Sequence, residues 1–126
     1  MYITDLAKNE RYFRIKNNHN KFFYRFFPSN NKNQSLCHSK EYASKDESIQ
    51  EIEKMINFLI DKKINNDNSD FVEIEEINEN DKQLYRYVLK NKHGERVLFG
   101  EKRIHKKDAK NGISSLYNQI YKLLLK

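Results

Sequence analysis

Tyr24-Arg25-Phe26 returns as Tyr85-Arg86-Tyr87, 61 residues further along the chain, and this recurrence decides the fold prediction. At an offset of 61 the two halves align without a gap, and both identical and apolar residues recur at equivalent places. Self-similarity at a fixed period is the signature of a repeated structural unit. We therefore predict one supersecondary unit written twice. Identical pairs include Lys21 and Lys82, Asn30 and Asn91, Lys45 and Lys106, and Ile52 and Ile113.

Six segments of the chain are predicted strands. All are short, the five other than 35–38 contain aromatic or β-branched residues, and several alternate between polar and apolar side chains. Asn-rich turns and a hairpin at Gly94 separate them, because Asn and Gly adopt the left-handed backbone of tight turns. The predicted strands cover residues 12–16, 22–27 and 35–38 in the first half and residues 71–77, 84–90 and 95–99 in the second.

Two amphipathic helices are predicted, one after each set of strands. Ser44 and Glu47 have the spacing of a capping box, which indicates that the first helix begins there and covers 45–62. Apolar residues at helical spacing predict the second helix at about 107–124.

Together these elements predict an α+β fold, a tandem duplication of a β-β-β-α unit with one helix per repeat packed on an antiparallel sheet. The first repeat covers residues 1–63, a polar linker covers 64–70, and the second repeat covers 71–126. A chain of 126 residues has room for one hydrophobic core. We therefore expect the repeats to form a single compact domain.

The turn and helix signals of the two halves resemble those of the YegP-like family, small bacterial proteins built from a tandem repeat. The resemblance rests on the aromatic strand and hairpin at 85–95, on Asn111-Gly112-Ile113, and on the Tyr-Ala-Ser-Lys segment at 42–45. Gln50-Glu51-Ile52 departs from the family's Asn-Gly-Ile pattern in the first helix. The resemblance implies two β-β-β-α repeats with helices on an antiparallel sheet. The family is functionally uncharacterised, so no catalytic residue is implied.

The composition is that of a folded and very polar protein. Apolar residues make up 37% of the chain and charged residues 33%, and eight Phe and eight Tyr supply core volume. The single cysteine, Cys37, excludes an intramolecular disulfide and fits a reducing compartment. No apolar run approaches the roughly 20 residues of a membrane span, and Met1 to Glu10 lack the apolar core of a signal peptide. We expect a cytoplasmic location and no membrane partner.

No residue pattern indicates catalysis. His38 follows Cys37 directly, but neighbours on a strand point to opposite faces, so His38 is poorly placed to activate the thiol. The four histidines lack the spacing of metal ligands, and three glycines do not form a phosphate-binding loop. We therefore predict that the protein is not an enzyme and uses neither a cofactor nor a metal.

Charge is distributed unevenly along the chain. Residues 64–81 hold seven carboxylates and no Lys or Arg, whereas residues 82–126 hold twelve Lys or Arg and three carboxylates. This asymmetry favours an anion-binding second half. The alternative is that the acidic strand lies beside the basic ones and neutralises them. The candidate anion- or nucleic-acid-binding residues are Arg25, Arg86, Arg96, Lys102, Arg103, Lys106 and Lys107.

In each Tyr-Arg-aromatic strand, successive side chains point to opposite faces of the sheet. The two aromatic residues therefore share one face, and Arg25 or Arg86 lies on the other face beside further apolar residues. One face has to pack on the helices, and the other is a candidate platform that stacks bases and binds phosphates. Alternatively, each Arg pairs across strands with an acid of residues 73–76 while the aromatic residues fill the core. The candidate stacking residues are Tyr24, Phe26, Tyr85 and Tyr87.

We predict from these features a small non-catalytic binding or interaction module whose ligand the sequence does not identify. The alternative is a nucleic-acid-binding protein that uses the basic second repeat. A further alternative, which no residue selects, is a protein-inhibiting or defence-related accessory protein. Nucleic acid and an acidic protein surface are the candidate partners.

Overall fold

The computed structural model of the chain describes residues 1–65 and 70–126. The first half contains helix α1 (Ile3–Ala7), strands β1 (Phe13–Asn18), β2 (Lys21–Phe26) and β3 (Cys37–Ser39), and helix α2 (Lys45–Lys62). The second half contains strands β4 (Val72–Glu79), β5 (Lys82–Lys90) and β6 (Arg96–Gly100), and helix α3 (Lys106–Leu124). All six predicted strands and both predicted helices are therefore present, with ends that differ by one to two residues in most cases.

The strands form one sheet in the order β1-β2-β3-β6-β5-β4, and every neighbouring pair is antiparallel. β3 and β6 meet at the centre, where Cys37 lies opposite Gly100 and His38 lies opposite Phe99. Each half of the chain thus contributes three consecutive strands, and β1 and β4 form the two edges. The predicted α+β class, with an antiparallel sheet and helices packed on it, is confirmed.

The hydrophobic core lies between the sheet and the helices on one of its faces. Ile56 of α2 and Ile113 of α3 are fully buried there against the aromatic side chains of β2 and β5. The other face of the sheet is called the outer face here. It is formed by alternate residues of the strands, such as Phe23 and Arg25 of β2, whose neighbours Tyr24 and Phe26 point into the core.

Tight turns connect the strands where Asn-rich sequence predicts them. His19 and Asn20 have φ values of 51° and 67°, and Asn80 and Asp81 have values of 52° and 63°. Two successive left-handed residues are the geometry of a type I′ hairpin, which matches the twist of the flanking strands. Gly94 has a φ of 80° in the β5–β6 hairpin, as predicted.

The predicted N-cap of α2 at Ser44 is confirmed, and the return bond of the capping box goes to the residue before the cap. The Ser44 hydroxyl accepts a hydrogen bond of 3.1 Å from the Glu47 amide, and the Glu47 carboxylate accepts one of 3.2 Å from the Ala43 amide. α3 begins one residue earlier than predicted, after His105, whose side chain makes no capping bond.

Three features of the first half and the linker differ from the prediction. α1 is not predicted, although Leu6 and Ala7 are buried against the long helices. β3 begins at Cys37 rather than at residue 35. The Ser35 hydroxyl donates a hydrogen bond of 2.9 Å to the Glu101 carboxylate. Ile64 is fully buried in the core, so it is not part of a solvated linker. Residues 66–69 of that predicted linker lie outside the described residues.

Candidate functional site

The outer face of the sheet brings side chains from all six strands into one row of cross-strand neighbours. The row consists of Arg14, Arg25, His38, Phe99, Val88 and Glu73. It begins with two cations at the β1 edge and ends with a carboxylate at the β4 edge. The two halves of the outer face therefore carry opposite charge at their edges.

In the second half of the outer face the arginines are neutralised by β4. Arg86 Nε lies 2.7 Å from Glu75 Oε2, and Arg96 Nη2 lies 2.8 Å from the same oxygen. Arg96 Nε also lies 3.0 Å from Glu73 Oε1. The hydrogen bond from Arg86 is the main cause that holds the pKa of Glu75 below its usual range, and Arg96 adds to it. The prediction that an acid of β4 pairs with Arg86 is confirmed.

The remaining predicted cations of the second half lie outside the group of ion pairs that Arg86 and Arg96 form with Glu73 and Glu75. Lys102 pairs with Glu79 near the β4 edge. The backbone amides of Arg103 and Tyr85 each donate a hydrogen bond of 2.7 Å to the other residue's carbonyl. The Arg103 side chain is exposed. Lys106 and Lys107 begin α3, in the helical layer. The predicted set therefore divides between the outer face, where Arg25, Arg86 and Arg96 lie and Lys102 pairs with Glu79, and positions away from it, which hold Arg103, Lys106 and Lys107.

The first half of the outer face differs in its cations, which have no such partners among residues 1–65 and 70–126. Arg14 lies directly opposite Arg25, and Lys16 and Lys21 flank this pair along β1 and β2. No carboxylate of residues 1–65 or 70–126 lies within ion-pairing distance of these four side chains. A nearby carboxylate, Glu41, accepts a hydrogen bond from the Asn18 side chain instead. We call Arg14, Lys16, Lys21, Arg25, Phe23 and His38 the basic half-face.

Aromatic rings lie among these cations. The Arg14 guanidinium lies 3.9 Å from the centroid of the Phe27 ring and donates a hydrogen bond of 2.8 Å to the Lys32 carbonyl. The Arg25 guanidinium lies 5.5 Å from the centroid of the half-buried Phe23 ring. Each cation is within range of an attractive interaction with a ring face, which positions the guanidinium groups along the surface.

His38 occupies the centre of the outer face. Its imidazole stacks on the Phe99 ring with the centroids 5.4 Å apart. Burial lowers the pKa of His38, and the positive charges of Arg86, Arg25 and Lys102 lower it further against the opposing effect of Glu101. The imidazole is therefore neutral at pH 7, where it presents an uncharged flat ring between the two halves.

The predicted stacking residues belong to the core rather than to this surface. Tyr24, Phe26 and Tyr87 are almost completely buried on the face that the helices cover, where a base cannot reach them. Tyr85 is half-buried and lies on that same face of β5. The alternative prediction, in which the aromatic residues fill the core, holds for the three buried side chains. Phe23, His38 and Phe99 are aromatic side chains of the outer face.

The reactive groups that the sequence offers lie apart. Cys37 is fully buried on the helix-facing side of β3, while His38 lies on the outer face, as strand alternation predicts. Burial raises the pKa of the Cys37 thiol to about 12, so the thiol is protonated at pH 7. Within residues 1–65 and 70–126, no group of three or more His, Cys, Asp or Glu is arranged to hold a metal ion. None of the helices in the described part of the chain is long and apolar enough to cross a bilayer.

Comparison with known proteins supports the fold. No protein-family model and no curated protein matches the chain. Among solved structures it is similar to a UPF0339 protein from Shewanella oneidensis, determined by solution NMR, with a TM-score of 0.59 and 15% identity over 86% of this chain and 83% of that chain. UPF0339 is the YegP-like family, so the likeness supports the fold resemblance that the sequence motifs indicate. At this identity the similarity extends to the fold alone.

Proposed function

We propose that this protein is a small non-catalytic binding module that holds an anionic partner on its basic half-face. The helices cover the opposite side of the sheet, so a partner can reach the outer face without displacing any described element. The site is formed by strands of a regular sheet, which hold the charged side chains in fixed register.

The observation that carries the proposal is the pairing of Arg14 with Arg25. At the equivalent place in the other half of the chain, the register pairs Glu75 with Arg86, and the two side chains form an ion pair. Like charges directly opposite each other on a sheet are destabilising. An anion bound between two guanidinium groups removes this repulsion and accepts charge-assisted hydrogen bonds from both.

The same comparison weakens the alternative that the basic second repeat binds nucleic acid. Arg86, Arg96 and Lys102 already have carboxylate partners on β4, so these cations are not available without breaking ion pairs. The proposal therefore transfers the binding surface from the second repeat to the first.

We also propose that residues 1–63 and 71–126 are two repeats of one β-β-β-α unit within a single compact domain. The support is the symmetric strand order and the occurrence of type I′ turns at residues 19–20 and 80–81, which are 61 positions apart. On this view the binding surface arose by divergence of one edge strand. A cytoplasmic location stays a prediction.

Two charge-reversal variants with the same net charge test the proposed function. Lys16→Glu/Arg25→Glu should elute from a heparin column at clearly lower salt than the wild type, because it reverses two exposed cations of the basic half-face. Lys106→Glu/Lys107→Glu is the matched control, since it reverses two exposed cations at the start of α3. Equal shifts for the two variants would show that retention follows net charge alone and would refute the proposed site. Circular dichroism melting curves verify that both variants are folded.

A further inference from the structure

We propose that the ligand of the basic half-face is single-stranded nucleic acid. This inference rests on the proposed function and names the class of its ligand. Two features of the surface support it together. Partly exposed rings lie on β2 and β3, and the cations of β1 lie beside them. Bases bind rings by stacking, and phosphates bind cations, so a polymer that carries both groups matches the whole surface.

The rings lie on neighbouring strands beside the cations. Phe23 is half-buried, with Lys16 directly opposite it on β1 and Arg25 two residues further along β2. His38 lies directly opposite Arg25 on β3, and one face of its imidazole stacks on the neighbouring Phe99 ring of β6. Sheet proteins that bind RNA use such strand-borne aromatic side chains to stack splayed bases.

The cations are placed where the sugar-phosphate backbone would run. Arg14 and Lys16 share the outer face of the edge strand β1. Two residues of an extended strand span about 6.8 Å, which is the separation of the two Cα atoms. Neighbouring strands are about 4.8 Å apart, so these two cations lie beside, rather than beneath, the rings of β2 and β3. A strand of nucleic acid that follows the β1 edge would therefore place its phosphates on β1 and turn its bases inward.

The second half of the outer face limits the site to a short footprint. Glu73 and Glu75 are paired with Arg86 and Arg96 in this half, so these two arginines bind a phosphate backbone that extends across the sheet only if their ion pairs break. An intact duplex satisfies the cations but keeps its bases stacked on each other, so it cannot use Phe23 or His38. An acidic protein surface likewise satisfies the cations and leaves the rings without a specific role.

Ring variants separate these ligands. Fluorescence anisotropy is measured with a labelled mixed-sequence oligonucleotide of about 12 nucleotides, as DNA and as RNA, and with the same DNA as a duplex. We expect the single strands to bind more tightly than the duplex, with a slope of log affinity against log salt of about −0.7 per phosphate contact. Phe23→Leu keeps an apolar side chain but removes the ring. It should weaken single-strand binding by about 5- to 50-fold, as expected for the loss of one stacked base.

Heparin, which has no bases, distinguishes failure of this inference from failure of the proposed function. Phe23→Leu keeps every cation, so it should lower the heparin elution far less than Lys16→Glu/Arg25→Glu does. If heparin retention depends on the basic half-face but single strands bind no better than the duplex, or Phe23→Leu binds them like the wild type, the ligand is not single-stranded nucleic acid and the proposed function stands. If the basic half-face affects neither heparin nor oligonucleotide binding, both proposals fail. Should Phe23→Leu unfold, His38→Ala removes the second ring and is interpreted in the same way.

Discussion

Replacing Gly100 by alanine is expected to lower the free energy of unfolding by about 3 kcal/mol, at the upper end of the usual cost of overpacking a core. A Cβ atom at this position would lie 2.2 Å from Cε1 and 2.3 Å from Cδ1 of the Tyr87 ring, well inside van der Waals contact. The ring is nearly fully buried between β6 and α3, so the ring or the strand has to shift within the packed core to relieve the overlap. Urea unfolding of the purified variant measures the change directly.

A graded set of variants separates this contact from the general effect of removing a glycine. Gly112→Ala places its Cβ 2.8 Å from the same ring, but the gain in helix propensity of about 1 kcal/mol offsets part of the cost. Gly94→Ala meets no atom within 4 Å and should cost only the strain of its positive φ. In a Tyr87→Leu background the cost of Gly100→Ala should fall below about 1 kcal/mol. A Gly100→Ala cost no larger than that of Gly94→Ala would show that the Tyr87 ring is not confined as described.

Replacing Glu75 by arginine is expected to transfer anion binding to the second half of the outer face. The position is equivalent to Arg14, and the change removes the carboxylate that holds both Arg86 and Arg96. With the Arg86 guanidinium released and a cation added at position 75, while Arg96 keeps its ion pair with Glu73, affinity for a single-stranded oligonucleotide at 50 mM salt should rise at least about tenfold. The salt slope should steepen by about 1.4, corresponding to two added phosphate contacts at about 0.7 each.

The conservative variant Glu75→Gln serves as the control for this experiment. It releases Arg86 without adding a cation, and Arg96 keeps its ion pair with Glu73, so it should increase affinity by less than Glu75→Arg does. Both variants should also lower stability, because Arg86 and Arg96 lose their shared partner. Unchanged oligonucleotide affinity in both variants would contradict the view that β4 neutralises this half of the face.

Much of the fold follows from the sequence because local signals agree with the tertiary structure. Neighbours in sequence determine the backbone geometry of the helix cap at Ser44 and of the turns at 19–20 and 80–81. The 61-residue offset shows that the same local pattern occurs in both halves of the chain. α1 is missed because its five residues are too short for periodicity to reveal. Its position depends on the burial of Leu6 against helices far away in the chain.

The candidate site is harder to predict, because net charge per segment does not show which charges pair. The basic residues of 82–126 suggest the second repeat, but strand order places β5 between β4 and β6, where Glu75 reaches both Arg86 and Arg96. The sequence does contain the relevant signal. At the 61-residue offset Arg14 aligns with Glu75, while the arginines opposite them are identical. Comparing the two halves of the chain face by face, rather than summing their charge, identifies the basic half-face.

The location of the binding surface is tested most directly by following backbone and imidazole NMR signals of the ¹⁵N-labelled protein during titration with the single-stranded oligonucleotide. The account predicts that the largest shift changes occur at Arg14, Lys16, Phe23, Arg25 and His38, with small changes along β4. Largest changes at Lys106 and Lys107 at the start of α3, or no changes at saturating oligonucleotide, would contradict it.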